Sequence, residues 1–274
     1  MNKKIIKFAT FLSEKIPFLK PYAFDYYHKN LIGAKFTGWG MKTEHELPWN
    51  DEYSGKIFNK TCEDVQNFNF SKSFRMNENT LDELRWRHWI VRTATLHALK
   101  FAKSNEYNFV ECGVGDGITS FFTMREIANY PLRTSDFSMH LYDAWAAMKK
   151  DRLLESELDS EGKYAELDFE RTKNNLSEFK KQIVFHKGYI PSTFNSHPDS
   201  PDSIRYLHID LNATAPTIDS LEFFLPKLAP GGVILFDDYG WAPYYDTKKA
   251  IDEFFSDKPG ILMKLPTAQA IYYN

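Results

Sequence analysis

Three aspartates close two β-type runs late in the chain: Asp210 ends "IRYLHID", and Asp237 and Asp238 end "GVILFDD". If the two runs are neighbouring parallel strands, their ends present three carboxylates at one edge of a sheet. Such a group repels itself. Each carboxylate raises the proton affinity of the next, so the anions persist together only around a cation. Hard oxygen ligands with room for waters and a substrate suit Mg²⁺, at roughly 2.0–2.1 Å in an octahedron. The same residues can also be read without a metal, Asp238 as a turn residue and Asp210 as the cap of a helix. With a cation, the chemistry is the acidification of a bound hydroxyl, which then needs a base nearby. Asp210 is the first candidate for that base. His208, two residues back and so on the same face of its strand, is the second, beside the alternative of a buried, hydrogen-bonded strand histidine.

A second cluster lies earlier, in "NFVECGVGDGITS", residues 108–120. Gly113, Gly115 and Gly117 follow a short apolar run and precede a helical pattern, where open α/β sheets bend the backbone close to a ligand. A tight strand-to-helix turn without a ligand explains such a loop taken alone. The spacing G-x-G-x-G behind Glu111 differs from the G-x-G-x-x-G of dinucleotide sites, which disfavours an NAD-dependent oxidoreductase. Asp143 ends "LYDAW" 32 residues after Glu111, where a carboxylate can accept both hydroxyls of a ribose. Together "VECGVGDG" and "LYDAW" resemble the S-adenosylmethionine site of the class I methyltransferases. That resemblance implies a seven-stranded sheet with an antiparallel last strand, and Glu111, Gly113, Gly115, Gly117 and Asp143 as cofactor-binding residues.

From about Leu81 to about Phe255 the sequence is similar to the macrocin O-methyltransferases, metal-dependent enzymes that methylate sugar hydroxyls. The similarity runs through "WRHWIVRTATLHAL", "FVECGVGDG", "LYDAW", "HKGYIPSTF", "LPKLAPGGVILFDDYG" and "KKAIDEFF". It implies Asp210, Asp237 and Asp238 as metal ligands, with the 27-residue interval from Asp210 to Asp237 that the family pattern has. It places Gly188 of "HKGYIPSTF" with the cofactor, and it implies a saccharide or glycosylated small molecule as acceptor. The departure is Asn212, where many members carry a second aspartate; an amide can bind a hydroxyl or a metal but takes no proton. Asn212 is the one feature favouring a non-catalytic binding protein on the same fold.

The elements that must carry these residues are legible as an alternation. From about residue 81, short β-type runs interleave with helical patterns, which predicts a parallel α/β sheet covered on both faces into which seven strands fit; the resemblance makes it the Rossmann-like sheet of the class I methyltransferases. The expected strands are "NFVEC", "MHLYDA", "QIVFHKG", "IRYLHIDL", "GVILFDDY", "ILMKLP" and "QAIYYN". Residues 81–274 form the expected methyltransferase domain. Residues 1–80, rich in aromatic and turn residues, read as a cap over the sheet. Trp86, His88 and Trp89 read as core or subunit contact, with Arg87 near a cofactor carboxylate as the functional alternative. The charged stretch 148–181 reads as a solvated helical insertion. Tyr239 and Trp241 read as the floor of a sugar site or as packing.

Composition excludes other classes. The 274 residues carry a net charge of −3, so no diffuse basic field gathers nucleic acid. The chain is 43% hydrophobic and has no apolar run of about 18 residues, which predicts no membrane span. Cys62 and Cys112 make no disulfide framework, which suits a reducing, cytoplasmic setting. The opening "MNKKIIKFATFLSEKIPFLK" reads as a helix packed on the domain or on a partner subunit of a homo-oligomer, with a basic helix lying on a membrane surface as the alternative, and not as a secretory signal.

Overall fold

Short, largely apolar runs build the strands, and their burial separates the middle of the sheet from its rim. The computed structural model describes residues 47–52, 55–72, 78–131, 136–196 and 199–274. The strands are β1 (Asn108–Cys112), β2 (Ser138–Asp143), β3 (Ile183–Lys187), β4 (Ile204–Ile209), β5 (Leu228–Phe236), β6 (Ile261–Lys264) and β7 (Ala270–Tyr273). They form one sheet in the order β3-β2-β1-β4-β5-β7-β6. β1 to β5 are parallel, whereas β7 is antiparallel to both β5 and β6. The expected seven strands and antiparallel last strand are therefore present. β4 is buried at all six positions, as a central parallel strand covered on both faces must be. At the rim, β6 exposes Ile261 and Met263.

The described helices are α1 (Gly55–Val65), α2 (Glu78–Glu83), α3 (Arg85–Phe101), α4 (Ile118–Ala128), α5 (Phe169–Asn175), α6 (Ser192–Ser196), α7 (Thr214–Phe224) and α8 (Tyr245–Phe254). Among the described residues no helix is long and apolar enough to cross a membrane. α3 buries His88, Val91, Ala94, Thr95, Ala98 and Leu99, the spacing of one helix face, against α4 and β5. Its C-terminus and the turn beyond are gripped by Arg205 of β4, whose guanidinium donates to the carbonyls of Ala98 and Ala102 at 3.4 and 3.0 Å and of Glu106, past the helix end, at 2.9 Å. A cation at that end also suits the helix dipole. Trp86 and Trp89 pack edge-on against Trp49 and Phe58, and His88 stacks on Phe122, so this cluster is core as expected.

Pro48–Asn274 forms one compact unit. Most of the cap expected over residues 1–80, from 1 to 46, lies outside the described residues.

The insertion after β2 departs from the expected solvated helix. Only α5 is α-helical there; residues 150–152 and 155–160 form tighter 3₁₀ turns. Glu157, only 6% exposed, accepts hydrogen bonds from Thr214 N and Oγ1 at 2.8 and 2.6 Å, and from Leu154 N at 2.9 Å. α7 begins at Thr214 after Ala213, which has no capping side chain, so Glu157 supplies the anionic cap from 57 residues away. The insertion thus holds the turn that carries Asp210 and Asn212.

Candidate active site

The parallel ladder continues one residue past the strand ends. Gly113 N donates to Tyr142 O at 2.9 Å, Asp210 N to Cys112 O at 2.8 Å, Asp237 N to Ile209 O at 3.0 Å, and Gly188 N to Asp143 O at 2.9 Å. This register aligns the glycine bend, Asp143 and the aspartates along one edge. That edge lies where the strand order reverses between β1 and β4, the place where open α/β sheets bind ligands. A cavity of about 560 Å³ opens there. Glu111, Gly113, Gly115, Asp143 and Gly188 line it, as do Asp210, Asp237 and Asp238. Two expected site residues, Gly117 and His208, do not.

The glycines have different causes. Gly113 has φ +87°, and a Cβ there would lie 1.8 Å from the carbonyl oxygen of Asp210. Its lack of a side chain lets β1 and β4 end side by side. Gly117 starts α4 with φ +92° beneath the side chain of Leu176. Gly115, with φ +57°, also lines the cavity.

Asp143 is turned into the glycine bend. Its Oδ2 accepts from Val114 N and Gly115 N at 2.7 and 3.0 Å, and its Oδ1 from Trp145 N at 2.7 Å. Oδ1, with fewer of these strong backbone bonds than Oδ2, is the oxygen better placed to accept from a ligand hydroxyl. Burial raises its pKa, and the backbone donors oppose that rise. Thr172 of α5 and Trp145 hold Gly115 O at 2.7 and 3.2 Å, so the insertion also fixes the outer side of the bend.

The three aspartates converge: one carboxylate oxygen from each of Asp210, Asp237 and Asp238 lies within 4.8 Å of the others. Octahedral coordination at about 2.1 Å places opposite oxygens about 4.2 Å apart, so a small closure would seat an ion of that size. The counter-charges are already built in. Arg87 of α3 donates to the Asp237 carboxylate, and to the carbonyls of Asp237 and Thr267 at 2.7 Å each. Gln269 Nε2 donates to Asp237 Oδ1 at 2.7 Å. Arg87 is thereby committed to the acidic cluster and not to a cofactor carboxylate. His208 is fully buried, with Nδ1 3.1 Å from Glu111 Oε1 and Nε2 3.8 Å from Asp237 Oδ1. Burial opposes its charge, but the pull of Asp237 and Glu111 outweighs burial and pushes its pKa to about 10.

Titration within the cluster splits accordingly. Burial acts against the Asp237 anion, yet His208 and Arg87 hold its carboxyl below the ordinary range. Asp210 is raised well above that range by burial and by the charges of Asp238 and Asp237. Asp238 is pushed to about 6 by burial and by Asp237. A divalent cation among the three carboxylates would relieve the mutual repulsion that raises Asp210 and Asp238 and let them ionise together.

Asn212 sits beside this group in a left-handed turn, φ +55°. Its backbone N donates to Asp238 Oδ2 at 3.1 Å and its Nδ2 to Asp210 Oδ1 at 3.2 Å. Tyr164 and Tyr244 donate to its Oδ1. Trp241, 47% exposed, lines the cavity, while Tyr239 is buried and donates to Asp252. Of the two, Trp241 is the one available to a ligand. The partners that spacing did not reveal are Gln269, Trp145, Tyr164 and Tyr244; a tyrosine in a charged insertion has no periodic signature.

Residues 110–239 match the model of a methyltransferase domain. The fold is similar to that of the O-methyltransferase NovP, at 19% identity and a TM-score of 0.57, over 69% of this chain and 79% of NovP. It is also similar to the calicheamicin methyltransferase CalS11, at 15% identity and a TM-score of 0.56, over 86% and 98% of the two chains. The apo structure of CalS11, a TDP-rhamnose 3′-O-methyltransferase, superposes at 15% identity with a TM-score of 0.52, over 84% and 96%. No curated protein matches the chain by sequence. The sheet is that of the α/β class I methyltransferases.

Proposed function

We propose that the protein transfers a methyl group from S-adenosylmethionine to a hydroxyl of a saccharide or glycosylated small molecule, with Mg²⁺ held by Asp210, Asp237 and Asp238. The observation that carries this reading is the shared edge: the ladder that places Gly113 also places Asp210 and Asp237. A methyl donor on the glycine bend and an acceptor at the aspartates would be neighbours without further rearrangement. The sugar O-methyltransferase among the structures of like fold supports the acceptor class.

In this reading Asp143 Oδ1 takes a ribose hydroxyl, and the backbone at Gly113 and Gly115 borders the methionine part. A divalent cation among the three carboxylates would supply positive charge that acidifies an acceptor hydroxyl. The acceptor oxygen attacks the methyl carbon, the carbon–sulfur bond breaks with its electron pair going to sulfur, and the hydroxyl proton goes to the Asp210 carboxylate. Asn212 cannot take that proton. His208 is the less suited acceptor, because its Nδ1 is engaged with Glu111 and the pull of Asp237 and Glu111 favours its charged form, in which it helps to keep Asp237 ionised. Alignment of oxygen, carbon and sulfur does the remainder, an effect worth about 10⁵–10⁸ M in well-oriented systems.

Calorimetry with S-adenosylmethionine, its demethylated product and NAD, with and without Mg²⁺, tests the cofactor. A trideuteromethyl donor incubated with nucleotide sugars and glycosides then tests the transfer. Binding of NAD alone would overturn the reading in favour of an oxidoreductase, and donor binding with no transfer to any hydroxyl would favour a non-catalytic scaffold.

Two outcomes follow from the geometry. Asp143→Ala should weaken S-adenosylmethionine binding by about 1.5–3 kcal/mol, the range for a charge-assisted hydrogen bond. It should also lower the melting temperature of the free protein, because three backbone N–H groups lose their acceptor. Unchanged cofactor affinity in the folded variant would remove Asp143 from the ribose site. The second outcome concerns pH. A cation must displace any proton from Asp238, whose carboxyl titrates at about 6, and from Asp210, which is raised as well. Mg²⁺ affinity should therefore fall as pH drops through 6, by up to about tenfold per unit for each proton displaced. Titration calorimetry between about pH 5 and pH 8 reads this slope directly. A flat profile would count against these ligands.

A further inference from the structure

We propose that His88 holds the carboxylate of the methyl donor's amino-acid tail, together with the uncapped N-terminus of α4. This rests on the methyltransferase reading above and adds to it the residue that recognises the far end of the cofactor. The starting point is a histidine that the rest of the protein leaves unused. His88 is 7% exposed and stacks on Phe122 of α4, with ring centroids 4.4 Å apart and planes 14° apart. It lines the cavity, yet among the described residues no group hydrogen-bonds its imidazole. Burial pushes its pKa down to about 4, with help from Arg87 and His208 and against the pull of Asp237, so the ring is neutral at pH 7. A neutral imidazole carries one N–H donor and one lone pair. A buried donor without a partner is a cost that a ligand group can remove.

The place of His88 follows from the sheet. Along the edge, Asp143 closes β2, Gly113 follows β1, Asp210 follows β4 and Asp237 follows β5. α3 packs on α4 and β5, and Arg87, the residue before His88, reaches Asp237. His88 is therefore across the glycine bend from Asp143. A donor whose ribose meets Asp143 and whose methionine part crosses the bend would bring its tail to α3. That tail carries an ammonium and a carboxylate. Acceptors for the ammonium are plentiful on this acidic edge. Donors for the carboxylate are scarce, because Arg87 is spent on Asp237 and on the carbonyl of Thr267. The N–H of His88 is one such donor. α4 supplies others: Ile118 and Thr119, its first two residues, line the cavity, and Gly117 before them brings no capping side chain. The first N–H groups of a helix have no partner within it, and the dipole there favours an anion. An imidazole donor on one side and a bare helix start on the other are matched to a carboxylate.

The test compares three ligands that share adenosine and a sulfur and differ in the tail. S-adenosylhomocysteine, the demethylated product, carries ammonium and carboxylate; S-adenosyl-3-thiopropylamine keeps only the ammonium; 5′-methylthioadenosine has neither. Their dissociation constants are measured by calorimetry on the full chain of the wild type, His88→Met and His88→Gln. Methionine and glutamine are of like length, but only glutamine donates a hydrogen bond. His88→Met should weaken S-adenosylhomocysteine by about 10- to 100-fold, the range for a hydrogen bond to a charged group, and change the other two by no more than about twofold. His88→Gln should keep most of the lost affinity. In the wild type, the imidazole resonance that disappears in His88→Gln should shift on adding S-adenosylhomocysteine and stay in place with 5′-methylthioadenosine, a reading that does not depend on the methionine variant folding. Unchanged affinity for S-adenosylhomocysteine in His88→Met overturns the assignment. So does an equal loss for all three ligands, which would make His88 a packing residue, or an equal loss for the amine, which would move the contact to the ammonium. If the wild type bound none of the three, the methyltransferase reading itself would fall, so the two failures are told apart.

Discussion

Gly113→Ala is expected to disable the glycine bend and the acidic cluster together. The added Cβ would lie 1.8 Å from Asp210 O and 2.6 Å from Asp210 C, where real Cβ contacts below 3.0 Å are essentially never found. Neither partner can retreat cheaply. Gly113 N is bonded to Tyr142 O and Asp210 N to Cys112 O, so separating them means parting the ends of β1, β2 and β4. The left-handed φ of +87° adds about 1–2 kcal/mol for any side chain. With the backbone clash, a loss on the order of 4–5 kcal/mol is expected, a large share of the roughly 5–15 kcal/mol that holds a domain folded. Gly162→Ala is the matched control: its φ is +79°, but nothing lies within 4 Å of its Cβ position. It should cost only the backbone term, about 1–2 kcal/mol. Chemical denaturation of both variants decides the matter, and equal losses would mean that close approach to Asp210 is not what demands a glycine.

Asp210→Asn should lower the maximal rate of methyl transfer by about 10²–10⁴, the usual effect of losing a general base, even at saturating Mg²⁺. EDTA should abolish transfer in the wild type and Mg²⁺ restore it. Asp237→Asn is expected to fail in a different way from a simple loss of one ligand. It leaves Arg87 and His208 facing a neutral amide, and breaking a buried pair by removing one partner costs about 3–5 kcal/mol. Its signature is therefore loss of stability as well as weaker metal binding. Asp238→Asn, whose carboxylate makes no ion pair among the described residues and is reached by Arg87 only through its longer-range field, should raise the Mg²⁺ requirement with a smaller effect on stability. Full rescue of Asp210→Asn by added Mg²⁺ would remove Asp210 as the proton acceptor. A metal-free enzyme working at the full rate would end the metal mechanism.

The sequence by itself determined the sheet and one half of the site. Strand and helix periods are local properties, so seven strands were legible, and so was the residue type at each strand end: Gly113 after β1, Asp143 closing β2, Asp210 after β4 and Asp237 after β5. Parallel pairing does the rest, because once four strands are in register their ends form a row whatever the loops do. Tertiary structure alone decided how those residues are used. Arg87 reaches Asp237 across 150 positions, His208 reaches Glu111 across 97, and Glu157 caps Thr214 across 57. Tyr164 meets Asn212 across 48 positions, inside a stretch whose charge pattern reads as solvated surface. Pairings of this kind follow from how helices and insertions pack onto the sheet edge. A charge run looks the same in sequence whether it faces water or turns one carboxylate and one phenol inward; the fold decides, because only there do a buried N–H, an amide oxygen or a carboxylate without a counter-ion present a cost that a distant side chain can remove.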